Sequence, residues 1–224
     1  MKTHNRASRY GTVPPKINHL PRAVLSAECL RGNLVRCGPG YRHISWQECP
    51  AVRLYAIGDR IGHKTTASGK TAAWVWGAME SDGVHVHANV LPSVRFPSET
   101  NNVELSFCRL QKTDVVSIGE YFVTTPLRTL LDLLYFEDPI TPELLTACKT
   151  LLTLIPGGAK TVRIQLQNKR HPKRSAAMLS FAELLGLNPE PAAPEPSPLP
   201  TPACHKTQSG FRPLPQSQAA PISL

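Results

Sequence analysis

Between residues 123 and 135, VTTPLRTLLDLLY, apolar side chains recur at Leu127, Leu130, Leu131 and Leu134, the i, i+3, i+4, i+7 spacing of one helical stripe, and Leu133 widens it. Thr125 ahead of Pro126 is a helix start: the threonine oxygen caps an amide, and proline at the first helical position loses no hydrogen bond. The β-favouring pair Phe122-Val123 precedes it, so the stretch reads as a strand running into a capped core helix with Arg128 and Asp132 on its polar side.

The same reading carries along the chain. PRAVLSAECLRGN, residues 21–33, predicts a short helix with Val24, Ala27, Leu30 and, less regularly, Leu25 on its apolar face, stopped at Gly32-Asn33. LVRCGPGYRHI then gives two short strands joined by Gly38-Pro39-Gly40. Helical spacing returns over 50–62 and again over 68–79, and these two helices are expected to pack together. Period-two alternation marks strands over 84–90 and 103–110, separated by a loop containing Pro92 and Pro97. A hairpin over 114–118 and 121–123 delivers the chain to the leucine-rich helix. Pro142 starts the next helix, stopped by Pro156-Gly157-Gly158, and 161–169 and 175–185 are helix-compatible on either side of the basic KRHPKR at 169–174. The predicted fold class is α+β, with a reduced winged-helix element ahead of a domain of mixed helices and antiparallel strands.

Composition changes this picture at the two ends. Residues 1–20 have Pro14-Pro15, few apolar positions and no period, and are expected to form a basic disordered arm. After residue 187 seven prolines fall between Pro189 and Pro202, and the remainder is largely Ser, Gln, Ala and Thr, too little apolar surface to order itself. The expected organisation is therefore an arm over 1–20, a partial winged helix over 21–46, an α+β domain over 47–187 and a disordered tail over 188–224.

The net charge of +9 is unevenly spread: residues 1–45 hold eight Lys/Arg against Glu28, and residues 149–174 hold seven against none. Two basic stretches flanking a mildly acidic body favour a polyanion as partner, nucleic acid foremost. A helix followed at once by a small basic hairpin is the tail end of a winged helix-turn-helix. In such a module the helix, here with Arg22 and Arg31, enters the major groove, and the wing, with Arg36 and Arg42, lies along the phosphates. No apolar run approaches the roughly 20 residues that cross a bilayer, and residues 1–15 lack the apolar core of a secretory signal. The expectation is a cytoplasmic protein without a membrane partner, its six cysteines free and mostly buried.

Candidate chemistry adds little. SGKT at 68–71 ends like a phosphate-binding loop, but position 64, where the first glycine belongs, is Lys64, so Ser68 reads as a plain helix cap. His85 and His87 share one strand face without a third ligand nearby, His43 and His63 being distant, so no metal is expected. Glu104 lacks the lysine two residues on that a metal-dependent nuclease strand would carry. No catalytic residue and no cofactor is expected. Arg128 and Asp132, at i, i+4, form a helix-surface ion pair of roughly 0.3 kcal/mol, or a point of contact with a partner.

Taken in order, GNLVRCGPGYRH, TAAWVWG and VTTPLRTLLDLL resemble the AbiEi-type antitoxins of type IV toxin-antitoxin modules, through Arg31, Gly32, Leu34, Arg36, Gly40 and Tyr41, then Ala72, Ala73, Trp76 and Gly77, then 123–133. The resemblance spans about residues 21 to 186. It has two departures: an irregular arm replaces the family's first two winged-helix helices, and the proline tail replaces the nuclease-like domain of longer relatives. The resemblance implies a non-enzymatic protein that binds its own operator DNA. It also implies a C-terminal domain that counters a nucleotidyltransferase-like toxin without a stable complex, with Arg128 and Asp132 as candidate partner-binding residues. The alternative is a protein-interaction module acting through the basic segment 160–174 and the tail.

Overall fold

A computed structural model describes residues 13–80, 86–90, 103–137 and 139–187. The expected tail at 188–224, the loop at 91–102, His85 and the first twelve residues of the arm lie outside the described residues.

Helix α1 (Arg22–Leu30) stops where Gly32 takes φ +78°, and strands β1 (Leu34–Cys37) and β2 (Gly40–His43) form a separate antiparallel hairpin, Cys37 opposite Gly40. Helix α1 turns a different face inward from the one expected. Leu25 is buried, whereas Val24 and Leu30 are exposed, Leu30 to 91 %, because the helix packs chiefly against β1.

The arm also differs from expectation over 13–20. Val13 packs on the core, and Asn18 accepts the Tyr41 amide N–H at 2.7 Å while its own amide donates to the Tyr41 carbonyl at 3.2 Å. One asparagine therefore satisfies both backbone groups of a hairpin residue, a local bond that composition does not reveal.

Helix α2 (Pro50–Ile61) starts on a proline and ends at Gly62 with φ +71°. It leads into β3 (Thr65–Ala67), which was not foreseen and is the middle strand of the main sheet. After β3 come α3 (Gly69–Val75), β4 (Val86–Val90), β5 (Val103–Ser106), a 3₁₀ turn at Lys112–Asp114, β6 (Val115–Ile118) and β7 (Tyr121–Thr124). The sheet order is β5-β4-β3-β7-β6, with β3 antiparallel to β4 and parallel to β7, β4 parallel to β5, and β6 antiparallel to β7. This mixed sheet with its helices is an α+β architecture.

Helix α4 (Pro126–Phe136) begins as its sequence requires: the Thr125 side-chain oxygen accepts the Arg128 amide N–H at 3.2 Å, with Pro126 at the first position. It is buried on more than its leucine stripe. Thr129 is fully buried, and Tyr135 and Arg128 are 5 % and 8 % exposed, because α3, α5 (Pro142–Leu154), α6 (Gly158–Asn168) and α7 (Arg174–Leu184) all pack around it. The motifs of the sequence meet here. Trp76, just after α3, donates its indole N–H to the Thr124 carbonyl at 2.8 Å, and a side chain at Gly38 would strike the Trp74 ring.

Candidate functional site

The four arginines expected at the N-terminal module have different fates. Arg31 is exposed and paired with Glu28 at 2.5 Å, where Glu28 also takes the Asn33 amide at 2.7 Å. These two donors, Asn33 first, hold the Glu28 carboxyl below its usual range. Arg42 turns inward: it donates to the Trp46 carbonyl at 2.8 Å, and its Nε is buried.

Arg22 and Arg36 instead line one cleft of about 440 Å³ between α1, the hairpin and α2. A third guanidinium joins them that sequence reading missed. Arg60, on the last turn of α2, lines the same cleft and donates to the Pro39 carbonyl in the hairpin turn at 3.1 Å. Arg36 is held over the Tyr41 ring at 5.3 Å. Asp59 is the one carboxylate among the lining residues, and it accepts the Tyr121 hydroxyl at 3.1 Å, so the cleft keeps a net positive charge. Its shape depends on Gly40, where an added Cβ would lie 2.1 Å from the Ala56 carbonyl oxygen. Only glycine lets the hairpin lie this close to α2. The wing is therefore docked on the domain along that side, with Arg36 outward.

A second cleft, of about 550 Å³, opens over one face of β4 and β5, the residues just after β5 and the flank of α4. Arg128 and Asp132 line it, and they are not a surface pair. Their side chains are 9 % and 12 % exposed, and Arg128 Nε donates to Asp132 Oδ1 at 2.8 Å. The other guanidinium nitrogens reach Asp114 Oδ2 at 3.3 Å and Cys108 Sγ at 2.9 Å. Asp114 Oδ2 also accepts the Gln111 amide N–H at 3.1 Å, so Arg128 ties residues 108–114 to α4.

Burial works against the charge on Arg128, but the Asp132 carboxylate outweighs it and raises the guanidinium further, so it stays protonated. For Asp132, burial pushes the carboxyl up while Arg128 opposes. Across the floor, the Asn89 side-chain oxygen accepts the Cys108 amide N–H at 3.3 Å, and His87 Nδ1 lies 3.5 Å from Glu104 Oε2.

The remaining sequence candidates are scattered. Ser68 stands at the cap position of α3 without a side-chain cap bond. Its backbone N–H continues the sheet by donating to the His87 carbonyl at 3.1 Å, and Thr71 Oγ1 accepts the His87 N–H at 2.8 Å. SGKT is thus sheet-to-helix core rather than a phosphate loop. His43 bonds Ser45 and His63 stacks on Tyr121, both away from His87, and no three His, Cys, Asp or Glu side chains converge among the described residues. No helix is long and apolar enough to cross a membrane among those residues.

No family model matches the chain, and none of the curated proteins matches it. Among solved structures it is similar to the crystal structure of the RV2827C protein from Mycobacterium tuberculosis, with a TM-score of 0.42 and 15 % identity over 78 % of this chain and 67 % of that one.

Proposed function

We propose that this chain is a non-enzymatic, AbiEi-like antitoxin that binds its own operator DNA and counters a nucleotidyltransferase-like toxin without a stable complex. The observation that carries the DNA-binding part is the convergence of Arg22, Arg36 and Arg60 on one cleft. Three guanidiniums drawn from a helix start, a hairpin strand and a helix end are suited to phosphate oxygens, which accept from guanidinium forks. Arg22 and Arg36 come from the segment expected to read DNA, and Arg60 extends it onto α2. Arg31 and Arg42 contribute less, because one is neutralised by Glu28 and the other supports the hairpin.

The test is a gel shift on the chain's own upstream DNA at roughly 50 and 200 mM salt, where each phosphate contact adds close to one unit to the slope of log affinity against log salt. Arg22→Gln, Arg36→Gln and Arg60→Gln together should weaken binding and lower that slope by about two to three. Arg31→Gln should change it by less than one. Absence of binding at low salt, or a triple variant with the parent slope, overturns the DNA assignment.

A further inference from the structure

The cleft over α4 has two features that its buried ion pairs do not explain. Phe107 and Phe136 line it with 69 % and 58 % of their surface in water, a costly arrangement for two large apolar rings. Beneath them the floor is polar and ordered: Asn89 is 4 % exposed, and Arg128 uses three of its five N–H groups on Asp132, Asp114 and Cys108. The charges of its lining nearly balance, Arg109 and Arg128 against Glu104, Asp132 and Glu137, so the interior suits an uncharged group. At about 550 Å³ it lies within the size range of small-ligand clefts, about 300–1,000 Å³.

Beside one edge of the cleft lies a basic run, 169–174. The Phe136 ring meets the His171 ring edge-on at 5.8 Å, and the Tyr135 ring lies 4.3 Å from the same imidazole. His171 sits within KRHPKR, whose Lys169, Arg170, Lys173 and Arg174 have no ion-pair partner among the described residues. Lys169 is near enough for its charge to act on Asp132 at the cleft floor. The cleft's edge and the basic run are therefore neighbours.

Exposed rings over a polar, neutral floor, bordered by unpaired cations, match the chemistry of a nucleotide whose base is not paired. The base needs a ring to stack on and polar groups for its edge, and the phosphates need cations outside the cleft. A duplex offers the phosphates but keeps its bases stacked inside. We propose that this cleft takes an unpaired base of a single-stranded nucleic acid, stacked on Phe107 and Phe136, with the neighbouring phosphates on Lys169, Arg170, Lys173 and Arg174. This surface is separate from the arginine cleft and stands whether or not that cleft binds operator DNA.

The test uses the full chain and fluorescence anisotropy of labelled strands of about 12 nucleotides, as DNA, as RNA and as duplex, within the range of single-strand site sizes. With the duplex-binding cleft removed by the Arg22, Arg36 and Arg60 triple variant, either single strand, or both, should bind more tightly than the duplex. Phe107→Ala and Phe136→Ala should each weaken single-strand binding about five-fold or more, and Phe107→Tyr should retain it. Replacing the four cations of 169–174 by Gln should flatten the salt dependence. The Arg22, Arg36 and Arg60 triple variant should bind the strand as the parent does, which separates failure here from failure of the operator reading. Duplex bound as tightly as single strand by the Arg22, Arg36 and Arg60 triple variant, or both phenylalanine variants within about two-fold of the parent, would overturn the assignment. So would displacement of the strand by an equal concentration of adenosine monophosphate, which would mark a site for free nucleotides.

Discussion

Arg128→Met tests the central claim about the buried pair. As an exposed i, i+4 pair in the unfavourable order, Arg128 and Asp132 would be worth about 0.3 kcal/mol. With side chains 9 % and 12 % exposed and a second carboxylate, Asp114, at 3.3 Å, the removal leaves two poorly hydrated anions facing an apolar chain. Breaking a buried pair from one side costs about 3–5 kcal/mol. Asp114 is 19 % exposed and keeps the Gln111 N–H, so the lower part of that range, about 3 kcal/mol, is expected.

Urea unfolding followed by far-UV circular dichroism measures it, with an unchanged m-value certifying the same folded and unfolded states. Adding Asp132→Leu should recover at least about 1 kcal/mol, the coupling expected of contacting residues. The sign of the pH effect is also fixed. Asp132 is already raised with the guanidinium present. Without it burial, with Asp114 on the same side and Lys169 opposing, holds the folded pKa further above the unfolded one, so the native state holds the extra proton and stability falls as pH rises. The deficit of Arg128→Met should therefore shrink between neutral pH and about pH 5. A loss below about 1 kcal/mol, or a deficit that grows on acidification, would refute the buried-pair reasoning.

Gly58→Ala should destabilise although Ala is the better helix former by about 1 kcal/mol, because its Cβ would lie 2.3 Å from the Tyr121 ring, itself packed between Tyr55 and His63; a melting temperature above the parent's would contradict this. Gly40→Ala meets the Ala56 backbone oxygen, which has no rotamer to yield, so it should lower stability by about 2 kcal/mol or more and weaken operator binding along with it. Burial pushes the Cys37 thiol up to about 11 and the Cys148 thiol up to about 12. In native protein at pH 8, Ellman's reagent should therefore label Cys29, Cys49 and Cys108 ahead of these two. The same shifts give an alkaline instability: above about pH 9 the unfolded thiols ionise while the folded ones keep their protons, so stability should fall by up to about 1.4 kcal/mol per pH unit per thiol until the folded values are passed. Cys148→Ala should reduce that slope, and an unchanged slope would count against the cause given.

Elements whose signal lies in consecutive residues were legible in the sequence. The capped start of α4, the hairpin at Gly38-Pro39-Gly40, the packing of α2 on α3 and the two proline-started helices stand where capping and periodicity put them. Strand β3 was not legible. Its three residues, Thr65-Thr66-Ala67, sit in a polar run, HKTTASGKT, too short for any period and with no large apolar side chain. Its central place is made tolerable by bonds that sequence does not display: the Thr65 hydroxyl donates to the Ile61 carbonyl, and both neighbouring strands pair with it. Ser68 illustrates the same limit, since the cap position was foreseen but the missing side-chain bond depends on where β4 lies.

The candidate sites were less legible for a physical reason that also orders the two functional readings. Motifs that stand out in a single sequence are those under local constraint, and here they are mostly spent on the core: Gly40 on Ala56, Trp76 on Thr124, Thr125 on Arg128. Residues that face solvent carry no such local pattern. Arg60 lies in an ordinary helix end, and Phe107 and Phe136 sit 29 positions apart, one just past a strand and one at the last turn of a helix. Only the sheet and α4 bring the two rings to one cleft, and only the exposure of both, 69 % and 58 %, marks them as unfinished packing. Arg128 links these two classes of residue. Its bonds to Asp132, Asp114 and Cys108 are structural, yet they also set the position of residues 107–109 at the rim, so Arg128→Met should weaken single-strand binding even where the protein remains folded. Strand affinity held at the parent level in a folded, destabilised Arg128→Met variant would show that the rim is positioned without it.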